Sequence, residues 1–136
     1  MSLILLAAPA IAKEQLYSSL TEAANAAMTL LEAEIARDRA LTGVAMTRPH
    51  LRATRDALAS GMAEKERVAE SLRKFLVPAV EQPLGVIEET MEGEKQVVED
   101  QRASDRAQRV AYYLLKDNIG RKETALHQLK VFLGKP

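Results

Sequence analysis

Apolar residues recur along most of this chain every three or four positions, the spacing that sets them on one face of an α-helix. The first stripe holds Leu16, Leu20, Ala23, Ala27, Leu30, Leu31 and Ile35, with Tyr17 and Met28 at its edge. It predicts a helix over about Ile11 to Thr42. Gly43 and Arg48-Pro49 end it, because the residue before proline avoids the α region. A second stripe is Leu51, Leu58, Met62, Ala69, Leu72 and Leu76, broadened by Val68 and Phe75. It predicts a helix from Pro49 to Val77, with Thr47 suited to its N-cap and Pro49 to its first turn. The spacings 51–58 and 62–69–76 are those of closely packed helices. Lys65 and Arg55 fall near the same face and are expected to reach its edge and stay hydrated. Gly61 lies beside the stripe, where a neighbour can come close.

Pro78 and Pro83 bracket the next connection. After them the pattern predicts one long helix from Leu84 to Asn118, about 50 Å in length at ~1.5 Å per residue. Its apolar face changes direction on the way. Leu84, Ile87, Met91 and Val98 share one side; Ala103, Ala107, Val110, Ala111, Leu114 and Leu115 share another, roughly half a turn away. Either the helix breaks, with Gly93 the candidate point, or its halves bury against different partners. The second account is the expectation adopted: one half packs on the chain's own bundle, the other on a second subunit or another protein. Asn118-Ile119-Gly120 signals a turn, with Gly120 suited to follow a helix end. A short last helix is expected from Arg121 to Leu133, docked through Leu126, Leu129, Phe132 and Leu133 because so short a helix is marginal alone.

Short connections make successive helices antiparallel neighbours. The expected fold is therefore all-α, one domain over residues 1–136: an elongated antiparallel three-helix bundle with a short C-terminal fourth helix and an apolar N-terminal arm. The arm, Ser2 to Ala12, resembles the core of a short signal peptide but lacks the basic stretch that precedes one. It reads instead as a retained arm of a cytoplasmic chain, docked through Leu3, Ile4, Leu5 and Leu6. No apolar run approaches the ~20 residues of a membrane-spanning helix.

Charge adds a pattern that hydropathy does not show. The formal net charge is zero, which argues against a protein that coats nucleic acid along its whole surface. Yet seven acidic residues between Val80 and Asp100 (Glu81, Glu88, Glu89, Glu92, Glu94, Glu99 and Asp100) face Lys95 alone, and the chain after Asp100 is basic. Such blocks pair within the fold or between subunits, or they are solvated helix faces. Lys95, Arg102, Arg106, Arg109 and Lys116 also align along the predicted long helix, with Tyr113 among them. A phosphate backbone fits such a stripe and tyrosine stacks on bases. The bland alternative pairs these arginines with Glu99 and Asp105. Arg48, Arg52 and Arg55 form a second basic cluster.

Catalytic chemistry finds little to build on. With no cysteine there is no thiolate nucleophile, disulfide or Cys-bound metal. Helical di-iron bundles need Glu-x-x-His pairs, which the chain lacks, so the acidic run around Glu88, Glu89, Glu92, Glu94 and Glu99 reads as a solvated face. Glu123 and His127 are four apart but have no further ligands in view, and His50 reads as a surface or helix-end residue. No phosphate loop or nucleophile elbow is present. No metal, cofactor or catalytic residue is expected. The expected function is non-enzymatic: a structural or adaptor subunit, acting through helix-face association with itself or a helical protein partner. Leu84, Ile87, Met91 and Val98 are the candidate face, and the Leu3–Leu6 arm is the second choice. Two rivals stand beside it. One is a nucleic-acid-backbone-binding subunit using Arg102, Arg106, Arg109 and Lys116; the other is a helical chaperone for an amphipathic client segment.

Overall fold

The computed structural model describes residues 16–100 and 105–136. All regular structure among them is helical: α1 (Leu20–Val44), a 3-10 turn (Arg48–His50), α2 (Leu51–Ser60), α3 (Met62–Lys74), α4 (Pro78–Glu99) and α5 (Asp105–Phe132). Because α2 and α3 are separated only by Gly61, they form one interrupted leg, and the chain makes a bundle of four legs. Cross-helix contacts give its topology. Tyr17 N donates to Ser71 Oγ at 3.3 Å while Arg37 Nη1 donates to Ala57 O at 3.1 Å, so the first two legs run oppositely. Arg73 pairs with Glu88, and Lys95 with Glu66 at 3.6 Å, which sets α3 and α4 antiparallel. Arg121 meets Glu89 at 2.9 Å and Gln128 meets Gln82 at 2.6 Å, doing the same for α4 and α5. Arg39–Glu123 at 3.0 Å and Lys135–Asn25 at 2.9 Å close the ring between α5 and α1.

The ends follow local chemistry. Ser19 is extended (φ −141°) and its hydroxyl accepts from Glu22 N at 3.2 Å. The Glu22 carboxylate reaches back to Ser18 N at 3.2 Å, so the start of α1 has a reciprocal cap. Val77 is extended before Pro78, which occupies the first position of α4, where its missing N–H costs nothing. Gly61 leaves room for Arg37: a Cβ there would stand 2.9 Å from Arg37 Nη1.

Several expectations fail here. The long helix Leu84–Asn118 does not exist: α4 ends at Glu99 and Asp100 leaves the helical region at ψ 114°. The swing of the apolar face coincides with this break. α4 and α5 fold back on each other, so Leu84 and Ile87 of one face and Ala107, Ala111 and Leu115 of the other enter the same bundle. Gly93 is not the breakpoint. It sits inside α4 where a Cβ would lie 2.7 Å from Leu114 Cδ1, so it lets α5 approach. Likewise the last helix is not short, for α5 runs 28 residues through Asn118 and Gly120. The bundle therefore has four legs rather than three and a fragment. α4 also begins earlier than expected and carries Pro83 within it. Thr47 does not cap the second leg; His50 holds that position without a side-chain cap. The predicted arm, with Leu3, Ile4, Leu5 and Leu6, lies outside the described residues, as does the Ile11 start of the first helix.

The interior divides into two apolar regions. One is built on Ala23, Ala27, Leu31, Val68, Leu72, Val80, Leu84, Ile87 and Leu129. The other holds Ala45, Leu51, Leu58, Val97, Ala111 and Leu115. Each fully buried leucine contributes roughly 1.5–3 kcal/mol. Between the two regions the bundle is charged.

Candidate functional site

Every leg places an ionisable residue where its stripe calls for an apolar one. Stepping along α5, one buried line runs through Ala107, Ala111, Leu115, Asn118, Lys122, Ala125 and Leu129. Steps of three and four put Lys122 in line with the leucines. In α4 the line is Val80, Leu84, Ile87, Thr90, Glu94 and Val97. In α1 it passes Leu30, Leu31, Glu34, Ile35 and Asp38. In the second leg Lys65 lies seven residues after Leu58 and seven before Leu72. The four legs thus bring Glu34, Asp38, Lys65, Glu94 and Lys122 together at one level.

Their geometry is that of a closed network. Lys122 Nζ lies 2.9 Å from Glu34 Oε1, 2.9 Å from Asp38 Oδ2 and 2.8 Å from Glu94 Oε2. Lys65 Nζ pairs with Glu34 Oε1 at 3.0 Å and with Glu94 Oε1. Asn118 Nδ2 donates to Glu94 Oε2 at 3.1 Å. Arg37, at the rim, pairs with Glu34 Oε2. Three carboxylates therefore face two lysines and one arginine, which is neutral when all are ionised. Lys65 is 2% exposed and Lys122 1%, while Asp38 and Glu94 are fully buried.

Desolvation competes with pairing at each group. Burial pushes Glu34 upward, but Lys122, Lys65 and Arg37 outweigh it and hold its carboxyl below the usual range. For Asp38 burial wins over Lys122, and its carboxyl is raised. Its Oδ1 accepts no hydrogen bond from a described residue. For Lys65 burial outweighs the attraction of Glu34, and with Arg37 also opposing the charge the ammonium is lowered to about 8.

The network corrects two expectations. Lys65 does not snorkel, because the carboxylates of α1 and α4 supply partners inside the bundle. Glu94 is not on a solvated face, because a helix that packs on two neighbours turns one member of its acidic run inward. Chemically the network is self-contained. Four surface grooves among the described residues are lined by other side chains. Among the described residues no three of His, Cys, Asp and Glu are arranged to hold a metal ion. At the centre of the carboxylates sits Lys122. What the network can do is fix which helices face each other and in which register, since any slip would strand a buried charge.

The expected docking residues lie elsewhere. Leu84 and Ile87 are buried in the first apolar region, and Val98 packs against the second. Met91 is half-buried. Leu84 and Ile87 are covered by the chain itself, because the break at Asp100 lets α5 fold onto α4. Of the basic stripe, Arg102 lies outside the described residues and Lys95 is on α4, paired with Glu66. Arg106, Arg109 and Lys116 are exposed on α5. Lys116 stands 5.4 Å over the Tyr112 ring, whose edge meets Tyr113 at 5.2 Å between centroids. Glu123 pairs with Arg39 rather than meeting His127.

One outer surface stands out. Arg106, Arg109, Val110, Tyr113, Leu114 and Asp117 line an open groove along α5. Val110 is 54% exposed and Tyr113 64%. Among the described residues neither arginine has an ion-pair partner. Sequence reading grouped Val110 and Leu114 with the core stripe and Tyr113 with the basic stripe. Only the position of the break shows that Val110 and Tyr113 share the outward side, while Leu114 packs beside Gly93 of α4. Among the described residues no helix is long and apolar enough to cross a membrane. Neither a protein-family model, a curated protein nor a solved structure matches this chain.

Proposed function

We propose that this chain is a non-enzymatic helical structural or adaptor subunit. It works by helix-face association with a copy of itself or a protein partner, and the outer face of α5 is the face it uses. The observation that supports this reading is the adjoining exposure of Val110 and Tyr113 in one groove bordered by Arg106 and Arg109. Single exposed apolar residues are ordinary; a contiguous group rimmed by charge marks an interaction surface. The heptad-like spacing of this face suits coiled-coil-type packing against another helix. In this reading the buried charge network is the scaffold: it holds the four legs in one register, so the outer face of α5 is presented on a rigid body.

The exposed arginines beside Tyr113 favour one second reading, a contact with nucleic-acid backbone. Asp117 within the same groove weighs against it. Replacing Arg106 and Arg109 by alanine, together with a salt series, separates the two. Phosphate binding falls steeply with salt and with loss of the arginines. Association through Val110 and Tyr113 persists in salt and is abolished by Val110→Asp.

A further inference from the structure

We propose that the occupant of this face is a second copy of the chain, its α5 lying antiparallel across a two-fold axis that passes between residues 111 and 112. The inference rests on the reading of α5 as the association face and names its partner.

The side chains along the groove follow a self-complementary order. Arg106, Val110, Tyr113 and Asp117 follow at spacings of four, three and four. All four are exposed and line the same surface. That spacing reads the same in both directions, and the chemistry is complementary when reversed. In an antiparallel pair about the stated axis, Arg106 of one copy meets Asp117 of the other, and Val110 meets Tyr113. Both ends then join opposite charges and the middle joins apolar surface. A parallel pair would instead set Arg106 against Arg106 and Asp117 against Asp117. Two-fold symmetry needs one patch that complements itself, and this patch does.

Neighbouring residues fit the same arrangement. Lys116 is held over Tyr112 and stays at the rim. Gly120 is exposed, and a Cβ there would meet nothing within 4 Å, so the outer side of α5 carries no bulk at that end. Asp117 already has Arg121 at 2.9 Å, and Arg121 also reaches Glu89 at 2.9 Å. Asp117 thus has a second lone-pair site for an arginine from outside. One helix pair is a small interface, so the dimer is expected to be weak and concentration-dependent.

The test is sedimentation equilibrium of the full chain from micromolar to millimolar concentration, with circular dichroism to check that each variant is folded. The wild type is expected to dimerise. Arg106→Asp and Asp117→Arg should each weaken the dimer about tenfold by setting like charges opposite each other. The double reversal R106D/D117R should restore it to within about threefold, because the pair re-forms with polarity exchanged. Because the chain has no cysteine, a mixture of V110C and Y113C chains should also cross-link faster than either variant alone. If V110D abolishes association but the double reversal does not rescue, the antiparallel register is overturned while the association reading stands. A wild type that stays monomeric throughout overturns both. Retention of a single-stranded oligonucleotide that depends on Arg106 and Arg109, with no dimer, overturns them in favour of nucleic acid.

Discussion

Lys122→Met removes one cation from a buried layer of three carboxylates and two lysines. Lys122 Nζ has three carboxylate contacts, at 2.9, 2.9 and 2.8 Å, and is 1% exposed. Methionine is long and flexible enough to fill the lysine stem's space, so the change is chiefly electrostatic. Removing one partner of a buried pair costs about 3–5 kcal/mol, because the charge left behind is uncompensated. Against a domain stability of roughly 5–15 kcal/mol this is a large loss. The double variant Asp38→Asn, Lys122→Met takes out one charge of each sign and leaves Glu34 and Glu94 with Lys65 and Arg37. It should recover more than half the loss, a coupling of about 2 kcal/mol. The pH dependence has a defined sign. Without Lys122 a buried carboxyl gains affinity for a proton, so the folded state binds more protons than the unfolded one. The single variant's deficit therefore shrinks as pH falls from 7 toward 5. Urea unfolding followed by circular dichroism at both pH values, with slopes compared, measures all of this. A loss under ~1 kcal/mol at pH 7, or a double variant no better than the single, would refute the buried network.

Other consequences are simpler. Lys65 has a folded value of about 8 against 10.5 for a free lysine. Between those values the unfolded state holds the extra proton, so the Lys65 contribution to stability rises with pH across that window, by ~3 kcal/mol at 1.36 kcal/mol per unit. Comparing the pH profiles of unfolding for wild type and Lys65→Met checks this; equal slopes between pH 8 and 10.5 would sink it. Gly120→Ala should stabilise by about 0.5–1 kcal/mol, since a helix-interior alanine meets nothing there. A turn at Gly120 would make the same change destabilising, so the sign of the shift in melting temperature decides. Ser19→Ala should cost about 1 kcal/mol by removing the hydroxyl that accepts from Glu22 N, read from the urea midpoint.

Helices were legible wherever an apolar stripe kept its phase, as in Leu20–Ile35 and Leu51–Leu72. The all-α class and the antiparallel order of neighbours followed from the same stripes. Two kinds of information were not local. The break after Glu99 shows in sequence only as a change of phase, which two bodies or one folded-back body would produce equally; the choice is made by tertiary packing. Gly120 looked like a helix end because its intrinsic preference is real, but Leu115, Ala125 and Leu129 bind α5 to its neighbours on both sides of it. The charge network was hidden for a different reason. A stripe defined by apolar residues has gaps at Glu34, Lys65, Glu94 and Lys122, and each gap looks like surface until four helices are superposed. The signal was a charge at a core position in the middle of every leg, with acids on two legs and lysines on the other two.

The central claim is that α5 carries an association face on a self-contained bundle. Absolute mass by light scattering, at low and high salt and over a range of concentrations, tests it most directly. The account expects a species heavier than the 15.0 kDa chain, growing with concentration, surviving high salt and lost in Val110→Asp. A mass of one chain under every condition, with no protein partner retained through α5, would contradict it.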